Sequence, residues 1–246
     1  MYFKKLNKKI LKLLKLLLNK TTRRGLYHNI AASIELEELL DGLELDTVID
    51  VGSNKGQFVL LVEKIYKNIQ IFSFEPIKEI YLKQKKFFSN NKNIEIFNFG
   101  LGSKNKDLVL NITKKNDSSS ILEIKNPDQL GKKFEIIEKR KIAVKTLDEV
   151  LSQFNLGKNL LIKLDVQGYE LEVLFGANKI LSRIKYIIIE IAENQFYKDQ
   201  KIGNTIINYL NKNNFEVLKF SNHFKIAKID YSQKDFLFVN RNLIEK

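Results

Sequence analysis

The sequence predicts an α/β protein built on a doubly wound, mostly parallel sheet, with helices on both faces, an antiparallel last strand and an N-terminal helical extension. Three observations lead there. From residue 47 onward, apolar strand-like runs alternate with amphipathic helical segments, the rhythm of parallel strands joined by right-handed crossovers. Several strands, among them TVIDVG and YIIIEIA, are near-continuous apolar runs, as strands covered on both faces must be. The closing pair, 215–220 and 235–240, has only SNHFKIAKIDYSQK between its members and no evident helix, which fits a reversed last strand.

The leader, MYFKKLNKKILKLLKLLLNK, is expected to form a basic amphipathic helix over 1–20. At about 100° per residue, Phe3, Leu6, Ile10, Leu13, Leu14 and Leu17 share one face, Lys5, Lys8, Lys12 and Lys15 gather opposite, and Leu16 alone sits badly. Lysines break the uninterrupted core of roughly 7–15 apolar residues that a secretory signal needs. Two placements stay open: lying in an anionic membrane surface, or packed on the domain with its lysines solvated. Residues 21–46 read as helical, with Ser33 as a cap and Gly42 as a stop.

After the strand at 47–52 come a helix at 56–68, a strand at 69–76, a helix at 78–91 and a third strand at 94–100. The middle differs: a strand at 107–113, a loop at 114–121 and one or two strands at 135–146. The alternation then resumes with a short helix from residue 147, a strand at 160–166, a helix at 169–182, a strand at 186–192 and a helix at 204–213. No internal repeat or Pro/Gly/Ser linker appears, so residues 21–246 are expected to form one domain.

Composition narrows the chemistry. The chain has 246 residues, 44% hydrophobic and 29% charged, no cysteine and two histidines, which excludes disulfides and thiolate chemistry and leaves no metal constellation in view. The net charge of +13 is uneven: nine basic residues and no acidic ones fall in the first 24, and the other 222 carry 33 basic and 29 acidic side chains. A nucleic-acid enzyme would carry excess positive charge around its site as well, so nucleic acid ranks low as a partner.

The stretch VIDVGSNKGQF (48–58) follows the first strand, where a doubly wound sheet binds its ligand. A phosphate-binding P-loop would need G-x-x-x-x-G-K-[ST], and a dinucleotide loop G-x-G-x-x-G. Here Gly52 and Gly56 are four apart and Ser53–Asn54 replace a middle glycine. A D-x-G-x-x-x-G loop with an acidic residue ending the next strand suits a nucleoside without phosphates, and Glu75 in SFEP is that residue, placed to accept both ribose hydroxyls. S-adenosylmethionine (SAM) is such a ligand.

With these, NFGLGS, DSSSIL, VKTLDEVL, LLIKLDVQGYELEVLFGA and IIIEIA follow in an order that resembles the FkbM family of SAM-dependent methyltransferases over about residues 46–220. The resemblance implies a class I methyltransferase (Rossmann-like) fold of seven strands and methyl transfer to a hydroxyl oxygen. It implies that Gly52, Ser53, Asn54, Gly56 and Gln57 line the methionine end, with Asp50 an indirect anchor, that Glu75 and Pro76 hold the ribose, and that Phe99 and Gly100 sit against the adenine. Two departures from the family pattern are Ser53 and Lys55 in place of small apolar residues, and Gln167 in place of a frequent glutamate.

A sugar hydroxyl must lose its proton, and a nearby base helps. Asp165, at the end of the fourth strand, is the first candidate; capping the helix beside Gly168 is its other possible role. Glu190 is a charge inside an apolar run, costly unless used or paired, and His223 lies after the sixth strand. Asp117, Ser118, Ser119 and Ser120 offer hydrogen bonds to a polyol, and Tyr169, Phe196 and Tyr197 offer rings to a sugar face or to packing. The sequence therefore points to an O-methyltransferase acting on a carbohydrate of a surface polysaccharide or glycolipid, cytoplasmic and held at the inner membrane face through residues 1–20. A small natural-product hydroxyl, a nicotinamide-dependent dehydrogenase and a non-catalytic membrane-surface adaptor remain alternatives.

Overall fold

Apolar strands paired edge to edge must be covered on both faces, and the helices between them do the covering. A computed structural model describes residues 2–127, 130–221, 224–226 and 231–244, without the side chains of 2–9 and 224–226. In chain order the elements are α1 (Tyr2–Leu18), α2 (Lys20–Tyr27), a 3₁₀ turn (Ile34–Leu36), α3 (Glu37–Leu40), β1 (Thr47–Val51), α4 (Gln57–Ile65), β2 (Gln70–Phe74), α5 (Lys78–Phe87) and β3 (Ile94–Phe97). Then follow β4 (Gly100–Leu101), β5 (Lys106–Thr113), β6 (Ile136–Lys145), α6 (Leu147–Leu151), β7 (Leu160–Leu164), α7 (Glu170–Phe175) and β8 (Ile184–Ala192). The chain closes with α8 (Gly203–Lys212), β9 (Phe215–Phe220), β10 (Phe224–Ile226) and β11 (Tyr231–Asn240).

Across the main sheet the order is β10-β11-β8-β7-β1-β2-β3, with β9 also pairing β11. β1, β2, β3, β7 and β8 are parallel, and β11 runs antiparallel to β8. β9 and β10 lie end to end along the outer edge of β11, so together they fill one strand position. The seven-position, mostly parallel sheet with a reversed β11 is the class I methyltransferase arrangement expected from the sequence. The chain steps outward from β1 to β3 and then returns to β7 on the other side of β1. Ligands bind beyond the strand ends at such a reversal.

Alternation along β1 feeds two cores. Ile49 and Val51 join Phe72, Ile162 and Ile187 on one face, and Val48 joins Ile71, Leu161 and the helix residues Leu60 and Leu39 on the other. Asp50, on the Val48 face by the two-residue period, is fully buried.

Several segments differ from expectation: no helix covers 28–33 or 41–46, the strand expected at 235–240 begins at Tyr231, and Phe224–Ile226 adds a strand. The third strand stops at Phe97, three residues short, because Gly100–Leu101 leaves the main sheet to pair with β6. There Gly100 packs against Ile142 and Val144, and β4, β6 and β5 form a separate three-stranded sheet. The helix expected at 169–182 is only six residues long: Gly176 approaches the Gly102 carbonyl so closely that a Cβ would lie 2.0 Å from it, and Asp148 caps the amides of Lys179 and Ile180 at 2.9 Å. Ser33 makes no capping bond.

The leader helix packs on the domain, but by the unexpected side. Leu16, the leucine that fits the apolar stripe badly, is 2% exposed and joins Ile30, Ala32, Leu36 and Leu60. The Thr22 hydroxyl donates to the Leu16 carbonyl at 2.6 Å, and Lys12 pairs with Glu35 at 2.5 Å. Ile10, Leu13, Leu14 and Leu17, the predicted apolar face, stay 42% to 54% exposed. Leu16→Ala is therefore expected to cost about 2–3 kcal/mol in urea unfolding, whereas Leu14→Ala should stay within ~0.5 kcal/mol; equal effects of the two would contradict the observed docking side.

Candidate functional site

The bend after β1 is shaped first by its protein neighbours. Gly52 has φ +78°, and a Cβ there would lie 2.0 Å from the Asp165 carbonyl at the end of β7. Gly56 has φ +81°, and a Cβ would meet the Phe88 ring at 2.6 Å. Both glycines are thus required by backbone conformation and close packing, and Gly56 does not line the cleft that opens above. The Gly52 and Ser53 amides both donate to the Phe74 carbonyl at 3.1 Å, and Asn54 is left-handed at φ 49°. From α5, the fully buried Gln84 fastens this bend. Its amide donates to Ser53 Oγ at 2.8 Å and to the Asn54 carbonyl, and its oxygen accepts from Ser73 Oγ at 2.9 Å.

Over the bend lies a cleft of about 1120 Å³ including its open mouth. Gly52, Ser53, Asn54, Gln57, Glu75, Pro76 and Gly100 are among its walls. The cleft also meets Asp117, Ser119, Ser120, Asp165 and Tyr169. Besides Gly56, two expected members are elsewhere. Phe99 turns into an aromatic stack with Phe97 and Phe74, at 5.5 and 5.7 Å between ring centres, because the chain leaves the main sheet there. Asp50 is sealed beneath the bend and reaches the cleft only through Lys163.

Glu75 faces the bend from the end of β2. One carboxylate oxygen accepts the Ile77 amide at 2.7 Å, and Asn98 holds the Glu75 and Pro76 carbonyls at 3.0 Å. Burial pushes the Glu75 carboxyl up to about 7, against the amides of Ile77 and Asn54 that favour its ionised form.

Beneath the cleft stands Lys163, a functional candidate with little to mark it in the sequence. Its only signal is a lysine in the middle of an apolar strand. The register places it directly beside Asp50; its Nζ is 3.7 Å from Asp50 Oδ1 and donates to Asp165 Oδ2 at 3.1 Å. Burial pulls the ammonium down, but Asp165 and Asp50 outweigh it and the net direction is upward. Neither Asp50 oxygen has a hydrogen-bond partner, and burial raises its carboxyl to about 6 although Lys163 opposes.

The turn after β7 gathers the acidic groups. Gln167, at φ 56°, donates to Asp165 Oδ1 at 2.8 Å and to Glu190 Oε2 at 3.5 Å. Its oxygen accepts the Tyr197 hydroxyl at 2.9 Å, and its carbonyl accepts Ser120 Oγ at 2.7 Å. The turn's capping carboxylate is Glu170, which accepts the Val166 and Gly168 amides at 3.2 and 3.0 Å, so Asp165 is left to face the cleft. Glu190 accepts from Gln233, and burial, then Asp165, Asp235 and Glu170, push its carboxyl well above the ordinary range.

A second pocket, about 700 Å³ with its mouth, adjoins the first and shares Asp117, Asp165 and Gln167 with it. Glu190, Ser118, Lys115 and Lys133 also border it. The serines expected to meet a polyol are largely engaged by the chain itself. Ser119 Oγ accepts the Thr113 amide at 3.1 Å, Ser120 Oγ bridges Gln167 and Leu122, and Ser118 Oγ lies 3.3 Å from Asp117. Phe196 and Tyr197 are buried in a core cluster with Phe134 and Tyr231. His223 lies outside the described residues.

The sequence profile of the family described as Methyltransferase FkbM domain matches residues 50–217. Methyltransferase 1 of Beauveria bassiana is 24% identical over 197 residues, 70% of this chain and 79% of that protein. Hexuronic acid methyltransferase AglP of Haloferax volcanii is 26% identical over 157 residues, 62% of this chain and 59% of its own length. Among solved structures, M. capricolum TrmK in complex with S-adenosyl-homocysteine aligns with a TM-score of 0.46 at 7% identity, over 85% of this chain and 69% of its own.

Removing Lys163 leaves Asp50 as a buried, unpaired charge. Lys163→Met should therefore destabilise the fold by about 3–5 kcal/mol, and adding Asp50→Asn should recover most of it. A double variant no more stable than the single one, in denaturant unfolding at neutral pH, would show that the two groups are not coupled.

Proposed function

Since the chain belongs to the FkbM methyltransferase family, whose methyl donor is S-adenosylmethionine, we propose that it methylates a hydroxyl oxygen of a carbohydrate. The carrying observation is Asp165, whose carboxylate lies on the wall shared by the two pockets. A group there can serve a cofactor in the first pocket and an acceptor in the second. A relative described as a hexuronic acid methyltransferase supports a sugar as the acceptor.

The residues around the bend suit the cofactor. Asn54 Oδ1 is buried without a hydrogen-bond partner, and the first amides of α4 have no partner within the helix. Gly52, Asn54 and Gln57 would hold the methionine end, and Glu75 would accept the two ribose hydroxyls. Pro76 and Gly100 would border the base. Bound S-adenosylmethionine supplies an activated sulfonium methyl; the protein's part is to orient the acceptor oxygen and take its proton. Asp165 is suited to the second task. It is fixed by the Lys163 ammonium and the Gln167 amide and is still 36% exposed. Glu190 and Gln233 on the far wall are placed to hydrogen-bond the acceptor.

Two outcomes are expected. Ribose recognition requires Glu75 ionised, and its carboxyl sits at about 7, so SAM affinity should rise with pH up to about 7 and level off above it. Below that, calorimetry should show a loss of roughly tenfold per pH unit. Glu75→Gln should abolish the pH dependence and weaken binding by roughly 1.5–3 kcal/mol; affinity flat from pH 5 to 8 in the parent protein would remove Glu75 from the site. Asp165→Asn should leave SAM binding within about threefold while lowering kcat by roughly 10²–10⁴-fold. Mass spectrometry of glycans from cells with and without the protein, seeking a single methyl difference, tests the acceptor class.

A further inference from the structure

Helix α1 contacts the domain through Leu16 and Lys12 and turns its apolar side outward. Ile10, Leu11, Leu13, Leu14, Leu17 and Leu18 are all exposed along it, and an exposed aliphatic stripe of this length marks a binding surface. Its surroundings are cationic. The first 20 residues contain seven lysines and no acidic residue, and Lys15, Lys20 and Arg23 are exposed beside the stripe. Among the described residues no helix is long and apolar enough to cross a membrane.

We propose that the outward face of α1 docks on an anionic lipid bilayer, the leucines entering the headgroup–acyl boundary and the lysines meeting lipid phosphates. Charge decides between this occupant and a second copy of the chain. Two such helices laid face to face would bring exposed cations such as Lys15 and Lys20 against their copies with no carboxylate on either helix to offset them, whereas an anionic surface meets them with opposite charge. The docking side points the same way: a leader that only stabilised its own domain would bury Leu13, Leu14 and Leu17, and here, among the described side chains of the helix, the buried leucine is Leu16. The proposal is independent of which acceptor the protein uses.

The test is sedimentation of the full-length protein with vesicles of phosphatidylcholine alone or mixed with phosphatidylglycerol. Binding is expected to the mixed vesicles, weakening as salt is raised, and to be far weaker with phosphatidylcholine alone. The variant Leu13→Ser/Leu14→Ser/Leu17→Ser should bind the mixed vesicles roughly a hundredfold less well, with an unchanged melting temperature because these side chains are already exposed. No binding to the mixed vesicles at low salt would overturn the proposal, as would binding that the triple variant leaves intact. So would a dimer, seen by light scattering without lipid, that the triple variant converts to monomer while vesicle binding persists.

Discussion

A single buried ammonium organises the crevice. Lys163 projects from the central strand β7 at the height of Asp50 on β1, with Asp165 two residues further on, just past the strand's end. Stripping a lysine and an aspartate of water costs more than an isolated pair returns unless both are well placed and other groups share the charge. Here the sharing is wide. Asp165, Asp50 and Asp235 all hold Lys163 in its charged form, and Lys163 in turn restrains the rise of Asp50, Asp235 and Glu190. Asp165 in turn pushes Asp50, Asp235 and Glu190 toward the protonated form. Asp165, held by two donors and open to both pockets, is the member left facing solvent.

The mostly parallel sheet and the bend were legible because both depend on local, strongly patterned sequence. Apolar runs of about five residues alternating with amphipathic helices leave few arrangements for a sheet, and Gly52, Gly56 and Glu75 announce their places by following strand ends. Other features lacked a local signal. Gln84 sits in KQKKFF, where nothing separates an inward glutamine from the lysines around it, and its importance comes from Ser53, thirty-one positions away. Lys163 reads as an interruption of a strand until the register shows what it faces. The serines at 118–120 offered hydroxyls to a ligand, but the backbone of a tight loop has unpaired amides of its own and took them first. The small second sheet escaped notice because β6 is mostly exposed and carries a weak period.

The two glycines of the bend show a related point about inference from motif to ligand. Their spacing led to the end of β1, where a cleft opens. Yet Gly52 is glycine because the Asp165 carbonyl leaves no room for a Cβ, and Gly56 because Phe88 leaves none. The space a nucleoside would use is bounded by the positions between them and by Glu75 opposite, so a motif conserving only the two glycines describes how the bend closes and not what it holds.

At position 167 the chain has an amide where a carboxylic acid is frequent among the sequences it resembles. One side chain there donates toward Asp165 and Glu190 while accepting from Tyr197. A carboxylic acid could bridge its two acidic neighbours only while protonated, and its loss of a proton would set three like charges against each other. A carboxamide keeps both hydrogens whatever the acidity of its surroundings. The spacing between Asp165 and Glu190 is therefore fixed by a spacer that does not titrate, and the shape of the shared wall is decoupled from the ionisation of the groups it carries.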